Sequence, residues 1–134
     1  KKINYFGINS SDKKKLLKLI EKLKNKFSIN NFDIIIDDGS HILSDQLKAL
    51  NFFFNKINKN GFYIIEDYKF PNYFKRCKDV NENTIDSLIK KILKKNKVRS
   101  KILNDHTINQ LYKSKIYKYK GNLKISDIVF LKKM

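Results

Sequence analysis

The sequence predicts an α/β protein with a mainly parallel sheet that ends in an antiparallel strand pair. Three observations predict it. Strand-like and helix-like segments alternate along the chain, the arrangement that builds parallel sheets with crossover helices. Two short runs, Phe32-Asp33-Ile34-Ile35-Ile36-Asp37 and Phe62-Tyr63-Ile64-Ile65-Glu66, are continuously apolar at their centres, as in strands covered on both faces. The C-terminal part instead holds two strand-like segments separated by Gly121-Asn122, a hairpin signal.

Taken in order, Ile3 to Gly7 reads as a short strand. Lys13 to Phe27 follows as an amphipathic helix, because Leu16, Leu17, Leu19, Ile20 and Leu23 recur at helical spacing between lysines. After the strand at 32–37, Ser44 to Ile57 brings Leu47, Leu50, Phe53, Phe54 and Ile57 onto one helical side, with Asn60-Gly61 as its stop. The strand at 62–66 comes next, and Pro71 marks a loop behind it. Asn83 to Lys95 spaces Ile85, Leu88, Ile89 and Ile92 by three and four, which makes a further helix. Residues 98–113 fit either a helix or a weak strand followed by a helical turn. Lys115 to Lys120 and Asp127 to Leu131 then form the closing pair. No internal repeat and no linker divides the chain.

With 134 residues and 41% hydrophobic content, the chain has the size of one domain and is too apolar to be disordered. No run of eighteen apolar residues occurs, so no membrane-spanning helix is expected. Cys77 is the single cysteine, which excludes an internal disulfide and a cysteine zinc cluster. No signal-like segment appears, and the expected setting is cytoplasmic. Thirty basic residues against thirteen acidic give a net charge of +17. All but Arg76 and Arg99 are lysines scattered from end to end, whereas arginine is the residue suited to bidentate phosphate and base contacts. The charge therefore reads as a solvated lysine-rich surface, and no specific nucleic-acid partner is expected.

More informative is what terminates the two apolar strands. The first ends in Asp37-Asp38-Gly39-Ser40-His41 and the second in Glu66-Asp67. Ligands of open parallel sheets bind outside the carboxyl ends of the strands. The 28 positions from Asp38 to Glu66 match one strand-to-strand repeat with a crossover helix, so adjacent strands would bring these acids together. Crowded carboxylates repel, and a hard divalent cation such as Mg²⁺, Ca²⁺ or Mn²⁺ relieves that repulsion through all-oxygen ligation. His41 is a further ligand or a base, since imidazole exchanges a proton near neutral pH. The bland alternative is that Asp37, Asp38 or Ser40 caps the following helix. Tyrosines around 68–73 and 112–119 read as packing rather than base-stacking surfaces.

The segment FDIIIDDGSHILSDQLKALNFFFNKINKNGFYIIEDY, residues 32–68, resembles the class I S-adenosylmethionine-dependent methyltransferases of the macrocin and mycinamicin sugar O-methyltransferase group, related to the cephalosporin hydroxylase-like proteins. The likeness is carried by the strand ending in IDDGSH, by Gln46 five residues after the histidine, and by the Gly-aromatic-Tyr strand ending in Glu-Asp. DIVFLKK resembles the family's last strand. The resemblance implies a Rossmann-like methyltransferase fold, with Asp38, Glu66 and Asp67 holding Mg²⁺ and His41 as general base. It also implies S-adenosylmethionine as cofactor, with Asn9 and Asp37 on the cofactor side, and a hydroxyl of a sugar or glycosylated small molecule as acceptor. The family's Gly-rich cofactor loop has no counterpart, because the four glycines, at 7, 39, 61 and 121, lie far apart. Gly7 to Asp12 would stand for the family's adenine-side Gly-Asp-Gln segment, with Ile8 in place of the acid. Residues 1–134 thus read as one partial methyltransferase domain without the N-terminal cofactor-binding strands. The alternatives are a truncated or degenerate non-catalytic fragment and a basic nucleic-acid binder.

Overall fold

The computed structural model describes residues 12–123 and 125–134, so the strand expected at 3–7 and the cofactor residue Asn9 lie outside the described residues. The order is α1 (Lys13–Phe27), β1 (Phe32–Asp37), α2 (Leu43–Phe53), β2 (Ile57–Ile65), α3 (Phe70–Tyr73), α4 (Ile85–Leu93), α5 (Asp105–Lys113), β3 (Lys115–Lys120) and β4 (Asp127–Lys132). Helix α1 starts where Asp12 Oδ1 accepts the Lys15 N–H at 3.1 Å and stops where Ser28 turns left-handed at φ 57°. Of its apolar stripe, Leu16 is buried. No helix among the described residues is long and apolar enough to cross a membrane.

The strands form one sheet in the order β1-β2-β4-β3. The pair β1/β2 is parallel, with Asp37 opposite Ile65. Both β2/β4 and β4/β3 are antiparallel. The C-terminal pair is as expected, and the expectation of a mainly parallel sheet holds in part: the sheet is mixed, with β4 running against the other three strands. Helices connect β1 to β2 and β2 to β3, and these three strands run in one direction, while β4 returns from β3 through a short connection and slots in antiparallel between β3 and β2.

A second correction concerns β1, which the apolar run placed between two covering layers. Ile34 and Ile36 are each 59% exposed, and Ile35 packs toward the core. One face of the strand thus packs on the core through Ile35, and nothing among the described residues covers Ile34 and Ile36 on the other. Beneath the covered face, Leu43, Leu47 and Leu50 of α2 join Ile85, Leu88, Ile89 and Ile92 of α4 in one core with Tyr63, Ile65, Val129 and Leu131. Fully burying each such aliphatic side chain contributes about 1.5–3 kcal/mol.

The second helix ends earlier than expected, and Asn60-Gly61 does not stop it. Its α-helical part closes at Phe53, a 3₁₀ turn spans Phe54–Lys56, and β2 already begins at Ile57. Asn60-Gly61 is instead an irregularity inside β2. Phe32 pairs with Ile57 and Ile34 with Phe62, so the intervening residues bulge, with Asn60 at φ 68°. Gly61 is required there, since a Cβ would come within 2.5 Å of the Asp33 carbonyl oxygen.

The remaining elements follow local chemistry. Pro71 sits in the first turn of α3, where a missing N–H costs nothing, so the expected loop contains one helical turn. Thr84 Oγ1 accepts from Ser87 N at 3.3 Å and starts α4. Asn104 Oδ1 accepts from Thr107 N at 2.8 Å and starts α5, which settles 98–113 as irregular chain followed by a helix.

Candidate active site

The parallel register carries the two acidic strand ends to one place. Asp37 lies opposite Ile65, and the ladder continues one step further because the Glu66 N–H donates to the Asp37 carbonyl at 3.0 Å. Asp37-Asp38 and Glu66-Asp67 therefore leave the sheet at the same end, as the 28-residue spacing predicts. His41 joins them from the turn after β1: its Nε2 is 3.9 Å from Asp67 Oδ2, and both side chains are about one-third exposed.

Each of these residues is held differently. Asp37 is half-buried and its Oδ2 accepts the Tyr63 hydroxyl at 2.7 Å. Burial raises its carboxyl above the ordinary value, opposed by the bonds from Tyr63 and the Gly39 N–H. The partner responds in kind, since burial and the adjacent Asp37 push the Tyr63 phenol well up. Asp38 is exposed. Asp67 takes a left-handed backbone at φ 50°, and its carbonyl accepts the Phe70 N–H at 3.0 Å. The ring of Phe70 lies 4.3 Å from the His41 ring, tilted by 39°.

None of the acids after β1 caps α2 by its side chain. The cap residue is Ile42, the Ser40 hydroxyl accepts the Ile42 N–H at 3.2 Å, and the Ser44 N–H is taken by Asp79 Oδ1 at 3.0 Å from 35 residues away. Gln46, one turn into the helix, is 1% exposed, and neither of its amide atoms has a hydrogen-bond partner.

A network that the sequence reading missed ties the loop after β2 to the start of β4. Asp127, 1% exposed, accepts from Lys69 Nζ at 2.7 Å through Oδ1 and from the Tyr73 hydroxyl at 2.6 Å through Oδ2. Burial alone would raise the Asp127 carboxyl, but these two bonds outweigh it and hold the group below its ordinary value. The same bonds raise Lys69 and Tyr73. Burial pushes neighbouring Tyr68 to about 12. The one available signal was an aspartate opening an otherwise apolar strand; its partners, more than fifty residues away, leave no trace in local pattern.

Chemically, three carboxylates and an imidazole at a strand end suit a hard cation and a proton acceptor. Among the described residues, however, no three His, Cys, Asp or Glu side chains are gathered as a preformed metal cluster. Asp38, Glu66 and Asp67 fit such an ion in donor type and backbone position, not in present side-chain placement.

Comparison with known proteins bears on this site. No family model matches the chain. Over 36 residues it is 50% identical to 8-demethyl-8-(2-methoxy-alpha-L-rhamnosyl)-tetracenomycin-C 3'-O-methyltransferase of Streptomyces olivaceus, covering 27% of this chain and 9% of that protein. Over 40 residues it is 42% identical to 8-demethyl-8-alpha-L-rhamnosyl tetracenomycin-C 2'-O-methyltransferase of the same organism, covering 30% and 11%. The structure aligns with MycE methyltransferase from the mycinamycin biosynthetic pathway, solved in complex with Mg and SAH, at a TM-score of 0.57 and 20% identity. That alignment covers 98% of this chain and 33% of MycE, so the chain spans about a third of its structural relative. The resemblance read from the sequence is borne out: this chain has the fold of a methyltransferase and is similar in sequence to sugar O-methyltransferases.

Proposed function

We propose that the chain is the metal and acceptor side of an S-adenosylmethionine-dependent O-methyltransferase that acts on a hydroxyl of a sugar or glycosylated small molecule. The observation that carries this reading is the meeting of Asp37-Asp38, His41 and Glu66-Asp67 at the carboxyl ends of two adjacent parallel strands. Similarity to two rhamnosyl O-methyltransferases supports the substrate class. A cytoplasmic setting is part of the reading.

In this scheme Asp38, Glu66 and Asp67 hold Mg²⁺, and Asn9 and Asp37 serve the cofactor side. When bound, the two groups supply an electrophilic methyl and a lowered hydroxyl pKa. His41 would take the proton of the acceptor hydroxyl as its oxygen is methylated by the bound cofactor. Nε2 of His41, the atom that would take the proton, lies 3.9 Å from Asp67 Oδ2. Phe70 packs on the ring and limits its rotation. Asp37, held by Tyr63, keeps the turn after β1 at fixed height beside β2. Alignment of the reacting atoms then does most of the catalytic work.

The chain is, in the same reading, part of a larger domain. Support comes from its one-third coverage of MycE and from the exposed Ile34 and Ile36, whose face an adjoining segment of polypeptide would cover.

The test uses the full-length protein. Calorimetric titration with S-adenosylmethionine, with and without Mg²⁺, and methyl transfer to a rhamnosylated acceptor are measured for wild type and His41→Ala. The expected result is Mg²⁺-dependent transfer that falls about 10²–10⁴-fold in His41→Ala, the usual range for a lost general base. Full activity in His41→Ala would sink the base assignment, and activity indifferent to chelation would sink the metal assignment.

A further inference from the structure

We propose that Asp127 is a positioning residue for the candidate site: its carboxylate clamps the helical turn after β2 so that Asp67 and Phe70 are held against His41. The inference rests on the methyltransferase reading for what the site does, and on contacts alone for the clamp. The segment from Asp67 to Tyr73 cannot hold its shape unaided. Asp67 has φ 50°, a left-handed conformation uphill for any residue with a Cβ. Helix α3 has four residues, far below the length at which a helix persists in water. Some outside contact must fix both.

Asp127 supplies that contact at both ends of the turn. Lys69 immediately precedes α3 and Tyr73 closes it, and the two bind different oxygens of one carboxylate at 2.7 and 2.6 Å. Phe70 stands between them in sequence and rests on His41 at 4.3 Å. The route from Asp127 to His41 is thus Lys69 and Tyr73, the turn, and the Phe70 ring. Glu66 and Asp67 come three and two residues before Lys69, so the same clamp bears on where those carboxylates lie.

A buried ion pair is poor evidence of stabilisation, because desolvation offsets most of the attraction. What it does well is select one arrangement, since any other leaves a charge unpaired away from water. In Asp127 both oxygens are used, and the strand that carries it pairs with β3 at Asp127 itself, opposite Lys120, and with β2 two residues further on, from Val129 to Lys132. The carboxylate is therefore a fixed point, and the turn adjusts to it.

The test compares Asp127→Asn, Tyr73→Phe and Asn104→Ala with wild type in the full-length protein. Asn104→Ala removes the cap of α5, a purely structural loss elsewhere. The first readout is the imidazole proton resonances of His41, displaced by the Phe70 ring current, with exposed His106 as the internal reference. The second is deuterium exchange at the Phe70, Tyr73 and Phe74 amides, and the third is Mn²⁺ affinity from paramagnetic relaxation. In Asp127→Asn the His41 signals should move toward those of His106, exchange should quicken at least tenfold, and Mn²⁺ should bind at least tenfold more weakly. Tyr73→Phe, at a half-exposed residue, should do the same to a smaller degree and carries the test if Asp127→Asn does not fold. Unmoved His41 signals, or an equal movement in Asn104→Ala, would overturn the clamp. Absence of Mn²⁺ binding in wild type would count against the metal reading alone, leaving the ring-current and exchange results to decide the clamp.

Discussion

Removing the hydroxyl of Tyr63 isolates one contact at the end of β1. Tyr63 is wholly buried, its O–H donates to Asp37 Oδ2 at 2.7 Å, and Tyr63→Phe deletes that oxygen while keeping the ring. A hydrogen bond to a charged acceptor contributes about 1.5–3 kcal/mol, and Asp37 is too enclosed for water to replace it fully, so a loss of about 2 kcal/mol is expected near neutral pH. The loss must depend on pH. Burial already lifts the folded pKa of Asp37 above its reference of 3.8, and the Tyr63 bond opposes that lift. Without the bond the folded pKa rises further. A carboxyl whose folded pKa exceeds its unfolded value weakens folding progressively as pH rises through that window. Tyr63→Phe should therefore cost little at about pH 4 and reach its full effect by about pH 7. Urea denaturation followed by circular dichroism, in chelator at both pH values, gives the two differences. Asp37→Asn removes the charge but keeps an acceptor, so it should match or exceed wild-type stability near neutral pH, and Tyr63→Phe should cost less in that background. An equal cost at both pH values, or an undiminished cost beside Asp37→Asn, would refute the assignment.

Two further outcomes test the frame around the site. Gly61→Ala would set a Cβ 2.5 Å from the Asp33 carbonyl oxygen and 3.1 Å from that of Asn58, both main-chain atoms tied into the β1/β2 pair. It should cost at least about 2 kcal/mol by urea denaturation, within the usual range for overpacking, and an unchanged midpoint would mean the bulge is not as described. The double substitution Ile34→Lys with Ile36→Lys should change the stability of the 134-residue chain by no more than about 0.5 kcal/mol, as at exposed sites. In the full-length protein it should cost at least about 2 kcal/mol, and equal small effects in both would argue against a covering segment.

Much of this architecture was legible because it rests on local period. The stripe at Ile85, Leu88, Ile89 and Ile92 and the bounds of β1 and β3 follow from side-chain spacing that any partner must satisfy. The meeting of Asp38 with Glu66-Asp67 was legible for a related reason: one crossover helix between two apolar strands leaves few other pairings. What escaped was set by contacts distant in sequence. Asn60-Gly61 carries the local signature of a helix stop, yet Phe54–Lys56 ends the helix sooner and β2 uses Asn-Gly for its bulge. Asp127 with Lys69 and Tyr73, and Asp79 with Ser44, have no period that could reveal them. The apolar run at 32–37 foretold a strand, but its composition could not reveal that one face lacks cover here.

The place of β4 in the sheet has a consequence for how the protein is made. Strands β1 and β2 with α2 between them are contiguous and can pair as soon as they leave the ribosome, and β3 and β4 form a local hairpin. Joining the two units requires residues 62–65 to meet 129–132 across a long stretch of chain, the slow kind of closure. Until then the inner edge of β2 stays open, and the turn bearing Glu66, Asp67 and Phe70 has no carboxylate to grip. In a nascent chain the proposed clamp thus closes only after residue 132 has been synthesised. A chain ended before Asp127 can still bring its acids to one end of the sheet through the β1/β2 pair but lacks the carboxylate that binds Lys69 and Tyr73.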